Sequence, residues 1–82
     1  MNYYVYILKS LKDNGYYVGI TKDLIIRLNY HNKGFVRSTK SRTPFIIVYK
    51  EIFQNRLDAR EREKYLKSYK GSKEKLSILE KI

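Results

Sequence analysis

The chain has 82 residues and no cysteine, and its 18 Lys plus Arg against 8 Asp plus Glu give a formal net charge of +10. This excludes a disulfide framework, a thiolate metal site and a cysteine nucleophile; no apolar run nears the roughly 18 residues of a membrane span, and no basic-then-apolar signal opens the chain. The expectation is one small domain over residues 1–82, soluble and cytoplasmic, attracted to a polyanion and most simply to nucleic acid rather than a membrane surface.

Tyr3 to Leu8 is an unbroken β-favouring run, which predicts a strand buried on both faces, and Tyr16 to Ile20 reads the same way. Asn14-Gly15 between them is a hairpin signal, since both residues tolerate positive φ. A two-residue turn would set Asp13 opposite Tyr16. A longer loop that shifts the pairing by an even step keeps the same faces. Val5, Ile7, Val18 and Ile20 then share one face, and Tyr4, Tyr6, Tyr17 and Gly19 the other. In TKDLIIRLNYHNKG, Thr21 or Asp23 can cap a helix and Gly34 can end it. Leu24, Ile25 and Leu28 form its core stripe, while Arg27 and His31, four apart, project from one face.

FVRSTKSRTP has no clean period and predicts a basic loop carrying Arg37, Lys40 and Arg42; FIIVYKEIF predicts a third strand. NRLDAREREKYLKSYKG predicts a second helix, with Asn55 as N-cap, Asp58 three residues on and Gly71 as its stop. Its inward stripe is Ala59, Leu66 and Tyr69. Glu63, four after Ala59 and three before Leu66, points along that stripe. SKEKLSILEKI predicts a short last helix, capped by Ser72 and burying Leu76, Leu79 and Ile82. The order β-β-α-β-α-α predicts an α+β fold, a small three-stranded antiparallel sheet flanked by helices.

YVY at Tyr4-Val5-Tyr6 and YVG at Tyr17-Val18-Gly19 resemble the two halves of the GIY-YIG nuclease signature. Arg27 follows Gly19 by eight and His31 comes four later, as in that family, and AREREKYLK resembles its A-x-x-R-E-x-x-x-K helix through Ala59, Arg62, Glu63 and Lys67. Each short motif is weak alone, but four in order at the right spacing are specific. The resemblance covers nearly the whole chain. It is closest to the small stand-alone bacterial members rather than to the multidomain excision-repair or homing enzymes. Tyr4 stands where the signature has its first glycine, a substitution usual among the small members.

The resemblance implies metal-dependent hydrolysis of a DNA phosphodiester. Tyr6 and Tyr17 would flank the site, one serving or helping as general base for water. Arg27 would hold the scissile phosphate and Glu63 a single Mg²⁺ or Mn²⁺, and His31 sits where members carry His or Tyr. The residue types suit those tasks. A hard cation takes oxygen ligands and keeps several waters, so one carboxylate suffices. A guanidinium offers phosphate a planar fork and stays charged. A phenol with an ordinary pKa near 10 needs positive charge nearby, from Arg27, Lys22 or the metal, to act as a base.

Lys22, Arg27, Lys33, Arg37, Lys40 and Arg42 are the candidate phosphate contacts, with DNA, branched or single-stranded, as partner and a second protein for targeting. Each residue also has an ordinary structural reading. Tyr6 and Tyr17 are plausible cross-strand aromatics, Arg27 and the loop cations a solvated surface, Glu63 an i,i+4 partner of Lys67, and His31 a helix-end residue against the C-terminal dipole. The alternative to an enzyme is a non-catalytic or partner-dependent nucleic-acid-binding module on the same scaffold.

Overall fold

Strand β1 (Tyr3–Ser10) lies between β2 (Tyr16–Thr21) and β3 (Phe45–Phe53), antiparallel to both. The computed structural model describes residues 2–81. Helices α1 (Leu24–Asn32), α2 (Arg56–Lys67) and α3 (Ser72–Glu80) complete the order β-β-α-β-α-α expected of an α+β fold.

The hairpin pairs Lys9 with Tyr16, Ile7 with Val18, Tyr6 with Gly19 and Val5 with Ile20. Its loop is longer than a two-residue turn. Asn14 takes a positive φ of 61°, Ser10 N–H donates to Gly15 carbonyl O at 2.8 Å, and Gly15 N–H donates to Asp13 Oδ1. The pairing has shifted by an even step, so the aliphatic and tyrosine faces stay separate, as side-chain alternation requires.

One core lies on each face of the sheet. On the aliphatic face, Val5, Ile7 and Val18 pack with Ala59 and Leu66 of α2, and with Ile78 and Leu79 of α3 at the margin. On the tyrosine face, Tyr6, Leu8 and Phe45 pack with Leu24 and Leu28 of α1 and with Tyr17 and Ile47. A buried aliphatic side chain stabilises by about 1.5–3 kcal/mol, so the fully buried Val5, Ile7 and Leu66 anchor the first core.

The helix caps are local. Asp23, not Thr21, accepts from Ile26 N–H at 3.0 Å, and Asn55 accepts from Asp58 N–H at 2.8 Å. Gly34, at φ 78°, follows α1 as the expected stop. Five expectations are corrected. Ile25 is 68% exposed, because α1 turns Leu24, Leu28 and His31 to the sheet and leaves the next residue round the helix outside. Helix α2 ends at Lys67 with Ser68 extended, so Gly71 does not stop it and Tyr69 is 94% exposed. Gly71 instead precedes α3 as its N-cap, with Ser72 already the first helical residue. A Cβ on Gly71 would strike the Tyr65 carbonyl, which is the packing reason for glycine there. In α3 Leu76 is 57% exposed, while Ile78 and Leu79 face the core; Ile82 lies outside the described residues.

Candidate active site

Tyr6 is the residue around which the site is built. It projects from the central strand onto the tyrosine face and is 2% exposed. Its cross-strand partner is Gly19, where a Cβ would strike the Tyr6 hydroxyl and ring, so the glycine of YVG makes room for the phenol. Arg27 and His31, one helical turn apart on α1, both reach Tyr6 Oη: Arg27 Nε at 3.4 Å and His31 Nε2 at 3.0 Å. His31 Nδ1 lies 2.7 Å from Thr39 Oγ1, which is 3.4 Å from the Val36 carbonyl. His31 and Thr39 are both fully buried.

The two ends of this chain set its direction. A guanidinium can only donate and a carbonyl can only accept. Arg27 therefore donates to Tyr6, Tyr6 O–H donates to His31 Nε2, His31 Nδ1–H donates to Thr39, and Thr39 O–H donates to Val36. Each bond has one proton, with His31 neutral. Burial is the larger cause that pushes His31 down to about 4, and the Arg27 charge adds to it. Burial likewise pushes the Tyr6 phenol up to about 12, against the lowering influence of the Arg27 hydrogen bond. Both directions keep the proton on Tyr6 and leave His31 neutral. Arg27 does lower the Tyr6 phenol, as expected of a nearby positive charge, but desolvation exceeds that effect.

Tyr17 lies beside this chain, half-buried, its ring centroid 6.5 Å from that of Tyr6 and 5.1 Å from that of His31. Lys67 Nζ of α2 sits 5.4 Å above the Tyr17 ring and donates to Glu63 Oε2 at 3.1 Å. Helix α2 packs its Ala59 and Leu66 on the aliphatic face, yet its Lys67 reaches the Tyr17 ring of the outer strand β2 and holds Glu63 beside it. The Glu63 charge is among the influences that raise Tyr6. Tyr6, Tyr17, Arg27, His31 and Glu63 thus share one neighbourhood, drawn from β1, β2, α1 and α2.

Glu63 is both buried, at 8% exposure, and the i,i+4 partner of Lys67. Its Oε1 meets Arg60 Nε only at 3.8 Å, too long for a hydrogen bond. One hard carboxylate oxygen without a hydrogen bond fits a cation that takes a single protein oxygen and fills the rest of its sphere with water, such as Mg²⁺ or Mn²⁺. Among the described residues no group of three His, Cys, Asp or Glu could hold a metal, so a cation needing an all-protein cage does not fit.

The other candidate cations are dispersed. Lys22 is exposed, 5.4 Å over the Tyr3 ring; Lys33, Arg37 and Lys40 are exposed after α1 and on the loop, where Lys40–Arg42 forms a 3-10 turn. Arg42 is engaged differently. Its Nε donates to Asp13 Oδ2 at 2.7 Å and its carbonyl accepts from Ser10 Oγ at 2.6 Å, tying the loop to the hairpin turn. Thr39 carried no period or motif that marked it. Arg62, part of the family-like helix motif, serves structure: it grips Glu51 through two bonds of 2.8 and 2.9 Å and also pairs with Glu74. Among the described residues no helix is long and apolar enough to cross a membrane.

A family profile described as the GIY-YIG catalytic domain matches residues 2–76. A UPF0213 protein of Staphylococcus haemolyticus is 38% identical over 79 residues, covering 95% of this chain and 94% of its own length. The UPF0213 protein YazA of Bacillus subtilis is 37% identical over 81 residues, 98% of this chain and 81% of its own. A solution NMR structure of a UPF0213 protein from Bacillus halodurans superposes with a TM-score of 0.56 at 33% identity, covering 95% of this chain and 85% of that one. The profile, the relatives and the shared fold agree: the chain belongs to the GIY-YIG family, whose domain is typical of endonucleases, as one of its small stand-alone bacterial members.

Proposed function

We propose that this protein hydrolyses phosphodiester bonds of DNA with a water activated beside Tyr17 and a single divalent cation at Glu63. The observation that supports this most is the meeting of two separate constructions at one strand edge: the Arg27–Tyr6–His31 chain and the Glu63–Lys67 pair, with Tyr17 between them. Arg27 projects its guanidinium toward the phosphate while Tyr6 holds its Nε, so the fork stays oriented before substrate arrives. His31 and Thr39 fix Tyr6 in turn. The buried, protonated Tyr6 suits positioning, and the half-buried Tyr17 is the phenol that a water can reach. Glu63 would hold the Mg²⁺ or Mn²⁺, which when bound supplies charge neutralisation at the phosphate and stabilises the leaving oxygen. Lys67, which donates to Glu63 Oε2, would also be within reach of a phosphate oxygen at this edge.

One feature favours the second reading, a nucleic-acid-binding module without turnover: Lys67 already occupies a carboxylate oxygen of Glu63. A panel of plasmid, single-stranded, flapped and branched DNA, incubated with Mg²⁺ or Mn²⁺, separates the two. Cleavage that disappears with chelator and in Glu63→Gln supports the enzyme. Binding without cleavage on every substrate supports the module, and full cleavage in excess chelator overturns the metal role.

A further inference from the structure

The outer flank of α2 carries a row of cations of which the site uses only Lys67. At 3.6 residues per turn, Arg56, Arg60, Lys64 and Lys67 fall within an arc of about 80° around the helix. Glu63 lies at one border of that arc, between it and the core stripe of Ala59 and Leu66. The opposite flank differs: Asp58 and Glu61 are there, and Arg62 is consumed by Glu51 and Glu74. All four ridge cations are exposed. Among the described residues Arg56 and Lys64 have no ion pair, and Arg60 has only the 3.8 Å approach to Glu63. At the start of the helix Arg56 lines a concavity with Tyr3, Thr21 and Lys22, which carries the positive surface on toward the hairpin. At its end Lys67 delivers the ridge to Tyr17 and Glu63.

We infer that this ridge is the track for the DNA backbone leading into the site. The inference takes its ligand from the nuclease reading and adds the surface that holds it. From Arg56 to Lys67 the helix rises about 16 Å, the axial length of about five nucleotides of one strand. Cations aligned over that length, where the other flank has only the paired Arg62, match a linear row of phosphates better than a compact anion. Guanidiniums and ammoniums on a helix flank read no bases, so the grip is independent of sequence.

The test is fluorescence anisotropy of a short labelled duplex with wild type and with Arg56→Ala/Arg60→Ala/Lys64→Ala, in excess chelator and over a salt series. Lys67 is left in place because it partners Glu63. Loss of three phosphate contacts should flatten the log–log salt dependence by about 2–3 units and weaken low-salt binding by at least about 10-fold. Arg56→Lys/Arg60→Lys should keep the wild-type slope, which separates charge from packing. If the alanine protein melts early by circular dichroism, the triple glutamine variant replaces it. Wild-type slope and affinity in the folded triple variant overturn the ridge and leave the nuclease reading standing. A ridge-dependent slope in a protein that cleaves nothing supports the ridge and defeats the nuclease. Failure of wild type to bind any DNA overturns both.

Discussion

Tyr6 Oη and His31 Nε2 lie 3.0 Å apart in the protein interior, one on the central strand and the other in the last turn of α1. The contact joins the signature tyrosine to the α1 helix. It also uses the only proton that Tyr6 can donate, which leaves its oxygen lone pairs for Arg27. Tyr6 and His31 are therefore one buried polar unit, and such units cost the most when half of the unit is removed.

Stability should fall with acid in a window that belongs to His31. Its folded pKa of about 4 lies below the ordinary 6.5, so protonation favours the unfolded chain. The His31 contribution is complete above pH 6.5 and is lost as pH falls toward 4. Glu51 and Glu74, both held down by Arg62, add their losses only below the ordinary 4.5. Urea midpoints at about pH 7.5 and about pH 5 should therefore differ in wild type and much less in His31→Gln. Equal midpoints for wild type would show that His31 is not a buried neutral base.

The two tyrosines should separate by what their loss damages. Tyr6→Phe leaves His31 Nε2 buried without a donor, at a cost of about 1–3 kcal/mol in urea unfolding. Tyr17→Phe should shift stability by less than about 1 kcal/mol, and it should slow cleavage by roughly 10²–10⁴ if the phenol assists the water. Full cleavage by Tyr17→Phe would remove it from the chemistry.

Gly19 should tolerate no side chain. A Cβ there meets the hydroxyl and ring of Tyr6 across the hairpin, and Tyr6 is fixed on its far side by His31. Gly19→Ala should destabilise by about 1–3 kcal/mol, the usual range for overpacking, and should displace the phenol from Arg27. The double variant Gly19→Ala/Tyr6→Ala should cost less than the sum of the singles, since the struck hydroxyl and ring are both gone; additive losses would argue against this contact.

The loop cations should divide into two kinds. Arg37 and Lys40 are exposed, and replacing both by Ala should flatten the salt dependence of DNA binding by about 2 units with an unchanged melting temperature. Arg42→Ala should instead lower the melting temperature, because Arg42 clamps Asp13, whose carboxyl its guanidinium holds well below the usual range. A melting temperature unaffected by Arg42→Ala would make the clamp a surface contact without consequence.

Local pattern was enough for much of this protein. Alternation in two short runs set the aliphatic and tyrosine faces, because a strand turns successive side chains to opposite sides whatever the loop does. Asp23, Asn55 and Gly34 marked helix ends through bonds and dihedrals made within a few residues. Helical spacing put Arg27 and His31 on one face, and motif order pointed to the family. The tertiary structure alone decided the rest. No period reveals that Thr39 closes the proton chain, since it meets His31 from an irregular loop, or that Arg42 grips the hairpin loop, since that contact crosses a long stretch of sequence. Tyr69 and Leu76 look like core residues by composition but lie outside, because α2 stops at Lys67 and α3 turns Ile78 and Leu79 to the core instead. The pKa of Tyr6 was decided there as well. The sequence places an arginine near it, but whether charge or desolvation prevails depends on how deeply the fold buries the phenol, and here burial prevails.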